Sequence, residues 1–182
     1  MVALVIIAIV ALVVLWGISV QRNLVSKDEI CQNAMSQIGV QQNSRWDALT
    51  AIVELVKSYN EHEYNTLKDV IASRKPINQN STAEDVEAQE KAMENVARQI
   101  DVVVERYPDL KANENYQKAM ESVNTYENQV RTARMVYNDS VTKFNQLVRQ
   151  FPGSLVASLL HFDKKDYLQE SQGKTEMPSM KI

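Results

Sequence analysis

Histidines, cysteines and paired carboxylates are the side chains from which a catalytic or metal site would be built, and this chain places few of them at useful spacing. His62 and Glu63 begin the pattern of a zinc protease helix, which requires a second histidine four residues after the first. Thr66 occupies that position, and His161 lies on a different segment. The single Cys31 allows neither a thiolate cage nor an internal disulfide. We therefore expect no metal, no cofactor and no enzymatic activity.

Charged and amide side chains that fall beside the apolar faces of the predicted helices form a second group of candidates. Glu127 and Arg131 are one helical turn apart and are expected to pair locally. If the first and third predicted helices run parallel, Glu63 lies near the level of Arg131. Two interpretations stay open: a polar network that fixes helix register, or a site for a ligand or partner. The candidates are Arg45, Glu63, Glu127, Arg131, Arg134, Asn138 and Asn145.

The first twenty residues form an apolar run without a charge or a proline, MVALVIIAIVALVVLWGISV. At about 1.5 Å of helix rise per residue, the run spans roughly 30 Å, the thickness of a bilayer's hydrocarbon core. A cleaved signal peptide is the main alternative, but no lysine or arginine precedes Arg22. Because Arg22 and Lys27 follow the run, we expect a single-pass helix with a short N-terminus outside and the remainder in the cytoplasm.

Apolar residues at three- and four-residue spacing predict three long helices after the span, over residues 21–73, 81–107 and 113–150. The prediction is an all-α fold in which a transmembrane helix continues into an up-down-up antiparallel bundle of long helices. We divide the chain into a span (1–20), a helical stalk (21–44), a bundle (45–162) and a flexible tail (163–182). Apolar residues recur every seven positions on the third helix: Val123, Val130, Tyr137, Phe144 and Phe151.

The stalk is the part of the first helix that this arrangement leaves without a partner. The second helix is too short to return to the bilayer, so residues 22–44 would lie alone with an apolar stripe exposed. Either copies of the chain pack there, or the helix breaks near Gly39 and folds back. We favour a homo-oligomer, with Cys31 as a crosslinking handle. The stripe consists of Ile30, Ala34, Met35 and Ile38.

The composition also indicates which classes of partner the protein binds. The net charge of −3 argues against nucleic acid, which calls for a basic face. The lipid bilayer and further copies of the chain are therefore the expected partners, with a protein partner as an alternative. A protein partner would bind either the acidic second predicted helix or the segment 155–162.

Several strings taken together resemble the LemA family of bacterial membrane-anchored proteins. The resemblance covers roughly residues 23–168 and implies one N-terminal span in the bacterial inner membrane, followed by a bundle of long helices. It implies no established activity and hence no catalytic residues. Thr50-Ala51 stands where the family usually has Pro-Asn, so we expect a straighter first helix here. The strings are RWDALTAIVELVKSYNEHE from Arg45, YPDLKANENY from Tyr107, ENQVRTARMVYNDSVTKFNQLVRQFP from Glu127 and LVASLLHF from Leu155.

Two functions compete on this sequence. The first is a non-enzymatic membrane-anchored scaffold that self-associates and organises or shapes the membrane or its proteins. The second is an adaptor or sensor that docks one protein partner in a membrane signalling or quality-control pathway. Large ordered oligomers favour the scaffold, and one dominant partner favours the adaptor.

Overall fold

The computed structural model describes residues 1–72 and 74–169. The described residues form only helices and the segments that join them, so the predicted all-α fold is confirmed. The long apolar N-terminal helix packs antiparallel against a later long helix, also as predicted. The helices are α1 (Val2–Val56), α2 (Glu61–Ile71), α3 (Ala83–Arg106), α4 (Pro108–Ala112), α5 (Glu114–Arg149) and α6 (Gly153–Leu159).

The directions of the helices follow from contacts between their ends. Asn113, at the start of α5, donates a hydrogen bond to Tyr59, just beyond the end of α1. Fourteen residues further along α5, Glu127 pairs with Arg45, which lies fourteen residues before Tyr59. The two helices therefore run antiparallel in constant register. Continuing that register brings the C-terminal end of α5 to the level of Asn23.

The first predicted helix is shorter than expected, because the chain reverses at residues 57–60. Asn60 has an extended backbone, and its side chain accepts hydrogen bonds from the N–H groups of His62 and Glu63. This N-cap starts α2 as a separate short helix that folds back on α1. Tyr64 on α2 donates a hydrogen bond to Glu54 on α1 at 3.1 Å. Through Thr50-Ala51, by contrast, α1 is continuous.

This extra reversal changes the relation between the long helices. Since α2 and the segment 74–82 carry the chain back along α1, α3 starts near Gln42 and runs parallel to α1. Trp46 on α1 donates to Gln89 early in α3, and Asn60 donates to Tyr107 at its end. The first and third predicted helices, α1 and α5, are consequently antiparallel. The condition under which Glu63 would lie near the level of Arg131, a parallel first and third helix, is therefore not met.

The stalk has a partner within its own chain, so the premise of an uncovered stripe is wrong. Because α1 ends at Val56, the 36 residues of α5 are enough to cover it down to residue 23. Ala34, Met35 and Ile38 are buried, whereas Ile30 is exposed. The three buried residues pack in one apolar cluster, the stalk cluster, with residues of α5, α6 and the segment 163–169, among them Tyr137, Val141, Phe144, Ala157 and Leu168.

Cys31 belongs to the same cluster and is a free, buried thiol. Burial raises the pKa of Cys31, with a smaller opposing effect from the Lys165 ammonium and a smaller raising effect from Asp28. A buried and protonated thiol is a poor nucleophile. Crosslinking through Cys31 is therefore a poor measure of contact between copies.

The heptad stripe on α5 is buried over four of its five positions. Val123, Val130, Tyr137 and Phe144 lie in the core, but Phe151 is 79% exposed. Because α5 ends at Arg149, the seven-residue repeat does not extend to Phe151. Pro152 follows, and a proline cannot continue the hydrogen-bond ladder.

Gly39 does not break α1; it admits the crossing segment. A Cβ atom at this position would lie 2.2 Å from the carbonyl oxygen of Ile77, whose side chain is buried in the stalk cluster. The segment 74–82 thus passes over α1 at Gly39, where no side chain stands in its way. This close approach is what lets α3 begin beside Gln42 of α1.

We expect Gly39→Ala to destabilise the fold although alanine is the better helix former by about 1 kcal/mol. The added Cβ forces the segment around Ile77 away, at a cost of about 1–3 kcal/mol. Gly17→Ala is the matched control, because a Cβ at that position has no neighbour within 4 Å. Denaturant unfolding of the full-length chain in detergent measures both. A Gly39→Ala chain as stable as the control would contradict the assignment.

Candidate functional site

A charged layer centred on Arg45 joins the three long helices. Its guanidinium lies 3.2 Å from a Glu90 oxygen on α3 and 3.0 Å from a Glu127 oxygen on α5. The Arg45 side chain is only 5% exposed, whereas both carboxylates keep partial contact with solvent. One buried cation thus holds two carboxylates from different helices, an arrangement that is costly to break from one side.

Amide side chains surround this layer and extend it along α1. Gln42 donates to the second oxygen of Glu90 at 2.8 Å and to the carbonyl oxygen of Val86 at 3.4 Å. The side-chain oxygen of Gln89, which precedes Glu90 on α3, accepts from the indole N–H of Trp46 and from the backbone N–H of Lys75. The layer therefore fixes α3 and the crossing segment against α1 at one height.

The remaining charged candidates lie apart from this layer or at its edge. Arg131 is half exposed and approaches Glu127 only to 3.8 Å, as a helical-turn pair. Glu63 pairs at 2.7 Å with Arg106, the last residue of α3. Glu63 does not lie near Arg131, as it would in a parallel pair, because α1 and α5 are antiparallel and Glu63 lies on the separate α2.

A second site consists of two asparagines on α5 that clamp the C-terminal segment 163–169. Asn145 donates to the carbonyl oxygen of Lys165 and accepts from its N–H, each at 2.9 Å. Asn138 makes the same pair of 2.9 Å hydrogen bonds with Leu168. Each amide therefore replaces one rung of a β-sheet ladder. Residues 163–169 of the predicted tail are bound to the bundle; residues 170–182 lie outside the described residues.

The spacing of the clamp follows from chain geometry. Seven residues of α-helix rise about 10.5 Å, and three residues of extended chain cover about 10 Å. Asparagines two turns apart can thus hold backbone positions three residues apart. Phe162, Lys165 and Leu168 share this spacing and face α1 and α5. Phe162 packs edge-on against Phe144, and Leu168 is buried in the stalk cluster.

Lys165 is the charged member of these three inward-facing residues. Its ammonium lies 2.7 Å from Asp28 on α1 and 5.5 Å from the centre of the Phe144 ring on α5. An ion pair and a cation–π contact are thereby shared between both long helices. Lys165 therefore joins the segment to α1 as well as to α5.

Two further side chains of α5 hold the same segment. Arg134 donates to the carbonyl oxygen of Gln169, and Tyr137 donates to that of Asp166 at 3.2 Å. Burial raises the pKa of Tyr137 to about 12, with smaller contributions from Cys31 and Asp166. The Tyr137 hydroxyl therefore stays a donor at any physiological pH. Asn138, Asn145 and Arg134 of the candidate group thus share one role, whereas Arg45 and Glu127 share another.

An open groove also runs between α1 and α5. Its volume is about 550 Å³, and it is lined mostly by uncharged polar side chains. None of the groups required for acid–base chemistry lines it, and the described residues hold no cluster of three histidines, cysteines or carboxylates suited to a metal. The polar lining residues are Gln37, Gln41, Thr125, Asn128, Gln129 and Thr132.

Sequence reasoning missed Glu90, Gln42 and the segment 163–169. Glu90 lies on the acidic second predicted helix, where a long carboxylate beside an apolar stripe produces the same pattern whether it points in or out. The segment lacks periodicity and carries four charges in its first four residues, which is typical of a solvated tail. The two asparagines were the available signal, since a buried amide on a helix requires partners.

Comparison with protein families matches residues 34–182 to a model described as the LemA family. No curated protein matches the chain. The match includes the charged layer and the asparagine clamp, and it begins within α1, beyond the apolar residues 1–20.

We expect Arg45→Met to destabilise the bundle by about 3 kcal/mol, because it leaves two carboxylates facing each other in a largely buried site. Adding Glu90→Gln and Glu127→Gln removes those charges and should restore most of the loss. Arg131→Met, at the exposed edge of the layer, should cost less than about 1 kcal/mol. Denaturant unfolding compares the variants. Equal losses in Arg45→Met and the triple variant would show that the charge pairing is not the cause.

Removing the amides of the clamp should release the C-terminal segment without unfolding the bundle. Asn138→Ala or Asn145→Ala loses two hydrogen bonds and leaves two backbone groups unpaired, a cost of about 1–3 kcal/mol. Hydrogen exchange in residues 163–169 should then accelerate about tenfold or more, while exchange in α3 stays unchanged. Asn124→Ala, at an exposed position of α5, is the control. Unchanged exchange in both clamp variants would rule out the clamp.

Proposed function

We propose, from the premise that the chain belongs to the LemA family, that it is a non-enzymatic scaffold anchored in the bacterial inner membrane. Copies associate on the bilayer and organise or shape the membrane or its proteins. The bundle acts as a rigid rod that stands on the anchor.

The observation that carries this proposal is the uncovered apolar start of α1. One described helix, α1, is long and apolar enough to cross a membrane by length and composition, and the apolar window lies near its N-terminus. Residues 1–16 are all exposed, so nothing in the described chain covers them. An apolar surface of this size is unfavourable in water and favourable in hydrocarbon.

The joint between anchor and bundle supports a scaffold role. No loop separates them, since α1 is unbroken from Val2 to Val56 and Leu24 is already fully buried. An anchor joined in this way holds every copy at the same height, with the same end of the bundle towards the bilayer. Arg22 and Lys27 beyond the span favour a cytoplasmic rod.

The absence of an enzymatic role is proposed from how the polar groups are used. Arg45, Glu90 and Glu127 bind one another, and Asn138 and Asn145 bind backbone groups. Their hydrogen-bonding capacity serves the fold. A catalytic site would instead need such groups poised toward a cleft.

The proposed contact between copies is the open groove between α1 and α5. Ala34, Met35 and Ile38 are not available, because they are covered within the chain. Beside the groove, Val40 and Val136 are exposed. Neighbours held at equal height by their anchors present this same face to one another, as a symmetric pair requires. A second copy is therefore the occupant that the anchoring favours.

The test is the mass and shape of the full-length chain extracted gently from its membrane. We expect assemblies of several copies, and Thr132→Arg in the open groove should reduce them to smaller species by placing like charges face to face. Val102→Arg, at an exposed position on α3, should leave the assemblies intact. Light scattering of the purified detergent complexes measures the mass.

Three outcomes would contradict the proposal in different ways. A chain that stays in the soluble fraction without detergent is not anchored. An anchored chain that is monomeric at all concentrations is not a self-assembling scaffold. A discrete complex with one other protein would instead support the alternative function, an adaptor or sensor.

A further inference from the structure

Three large apolar side chains at the end of the bundle are exposed at a spacing of four residues. Phe151 is 79% exposed, Leu155 is 61% exposed and Leu159 is 77% exposed. Leu160, next in the chain, is also exposed. A soluble surface seldom groups so many large apolar side chains within ten residues. We call these four residues the apolar foot.

The foot lies close to where α1 leaves its apolar run. The register of α5 on α1 brings Arg149 to the level of Asn23, and Phe151 follows two residues later. On the inner side of α6, Ala157 is buried in the same cluster as Leu24, and Val20 packs against that cluster. Val20 is the last residue of the apolar run. The foot and the end of the run are therefore at about the same height.

We propose that the apolar foot is a second membrane contact, whose side chains enter the surface layer of the bilayer that α1 crosses. This inference rests on the anchoring in the proposed function and names a further lipid-binding surface. Short apolar elements that lie in the interface bind by burying their side chains at the boundary between headgroups and acyl chains.

Continuity of the surface identifies phospholipid as the occupant. The exposed apolar residues of α1 continue through Ile18 to Val25, so the foot stands beside a surface that lipid would cover in the proposed anchored chain. A protein bound there would have to fit between the foot and the bilayer. Residues 20–23 leave only about 5 Å of helix rise for it.

Charge near the foot suits lipid headgroups. Arg22 and Arg149 are both exposed at this level, one from each long helix. Cationic side chains at a membrane surface are attracted to anionic lipids by about 1 kcal/mol each. The foot therefore combines apolar side chains with two flanking cations.

A second contact would restrict how the rod tilts. A single helix leaves the rod free to lean in any direction relative to the bilayer, whereas a foot on one side favours the tilt that keeps that side against the membrane surface. This would explain why α6 exposes leucines that a solvated surface has no reason to keep.

The experiment places a fluorescent label on the full-length chain in vesicles of phosphatidylcholine and phosphatidylglycerol. In a Cys31→Ala background, Leu159→Cys carries an environment-sensitive dye, and a lipid with a nitroxide near its headgroup is the quencher. We expect strong quenching at residue 159 and none at the control Val102→Cys on α3. A second variant, Leu155→Cys, should behave like Leu159→Cys.

A labelled Ile18→Cys separates the failure of this inference from the failure of the anchor. Quenching at residue 18 without quenching at residues 155 and 159 overturns the foot and leaves the anchor standing. No quenching at any of the three overturns both. A label at residue 159 that neither the lipid quencher nor aqueous iodide reaches is covered by protein, which also overturns the lipid contact.

Charged substitutions provide the independent check. Leu155→Asp with Leu159→Asp should abolish quenching of a dye at Phe151→Cys, because carboxylates resist entry into the interface. Circular dichroism should be unchanged, since both leucines are exposed. Quenching that survives the two aspartates would contradict a contact made by α6.

Discussion

The pairing of Arg45 with Glu90 and Glu127 is the interaction on which the arrangement of the long helices depends. Apolar stripes on helices tolerate sliding by one turn, because each turn presents similar side chains. A buried cation between two carboxylates from different helices does not tolerate sliding, since any shift leaves a charge without its partner. The layer thus sets the register of α1, α3 and α5 at one height. Every other level of the bundle follows from that register.

Two different elements complete the core along the pair formed by α1 and α5. In the distal half, α3 is the third helix. In the half nearer the N-terminus, α3 has not yet begun, and the extended segment 163–169 takes its place. A segment without secondary structure can cover the core only if its backbone groups are satisfied. Asn138 and Asn145 supply the missing partners, and this is how the clamp lets an extended segment cover the core.

The chain belongs to the LemA family, and its described residues build a helical bundle on a long apolar N-terminal helix. The chain places an apolar helix at one end and continues it into the bundle without a joint. Arg45 pairs with Glu90 and Glu127, and Asn138 and Asn145 bind backbone groups. Among the described residues, the open groove between α1 and α5 and the apolar foot are both accessible. These are the two surfaces through which we propose that the protein contacts further copies and the membrane.

The sequence alone determined the all-α class, the long apolar N-terminal helix, the family and most core positions, because these depend on local periodicity and composition. It did not determine where the first helix ends, since Val56 could continue the pattern and only the Asn60 cap shows the reversal. The seven-residue repeat predicts that Phe151 lies in the core, although α5 ends two residues earlier, at Arg149. The partner of each polar residue was decided by tertiary structure, because register depends on contacts between residues as far apart as Arg45 and Glu127.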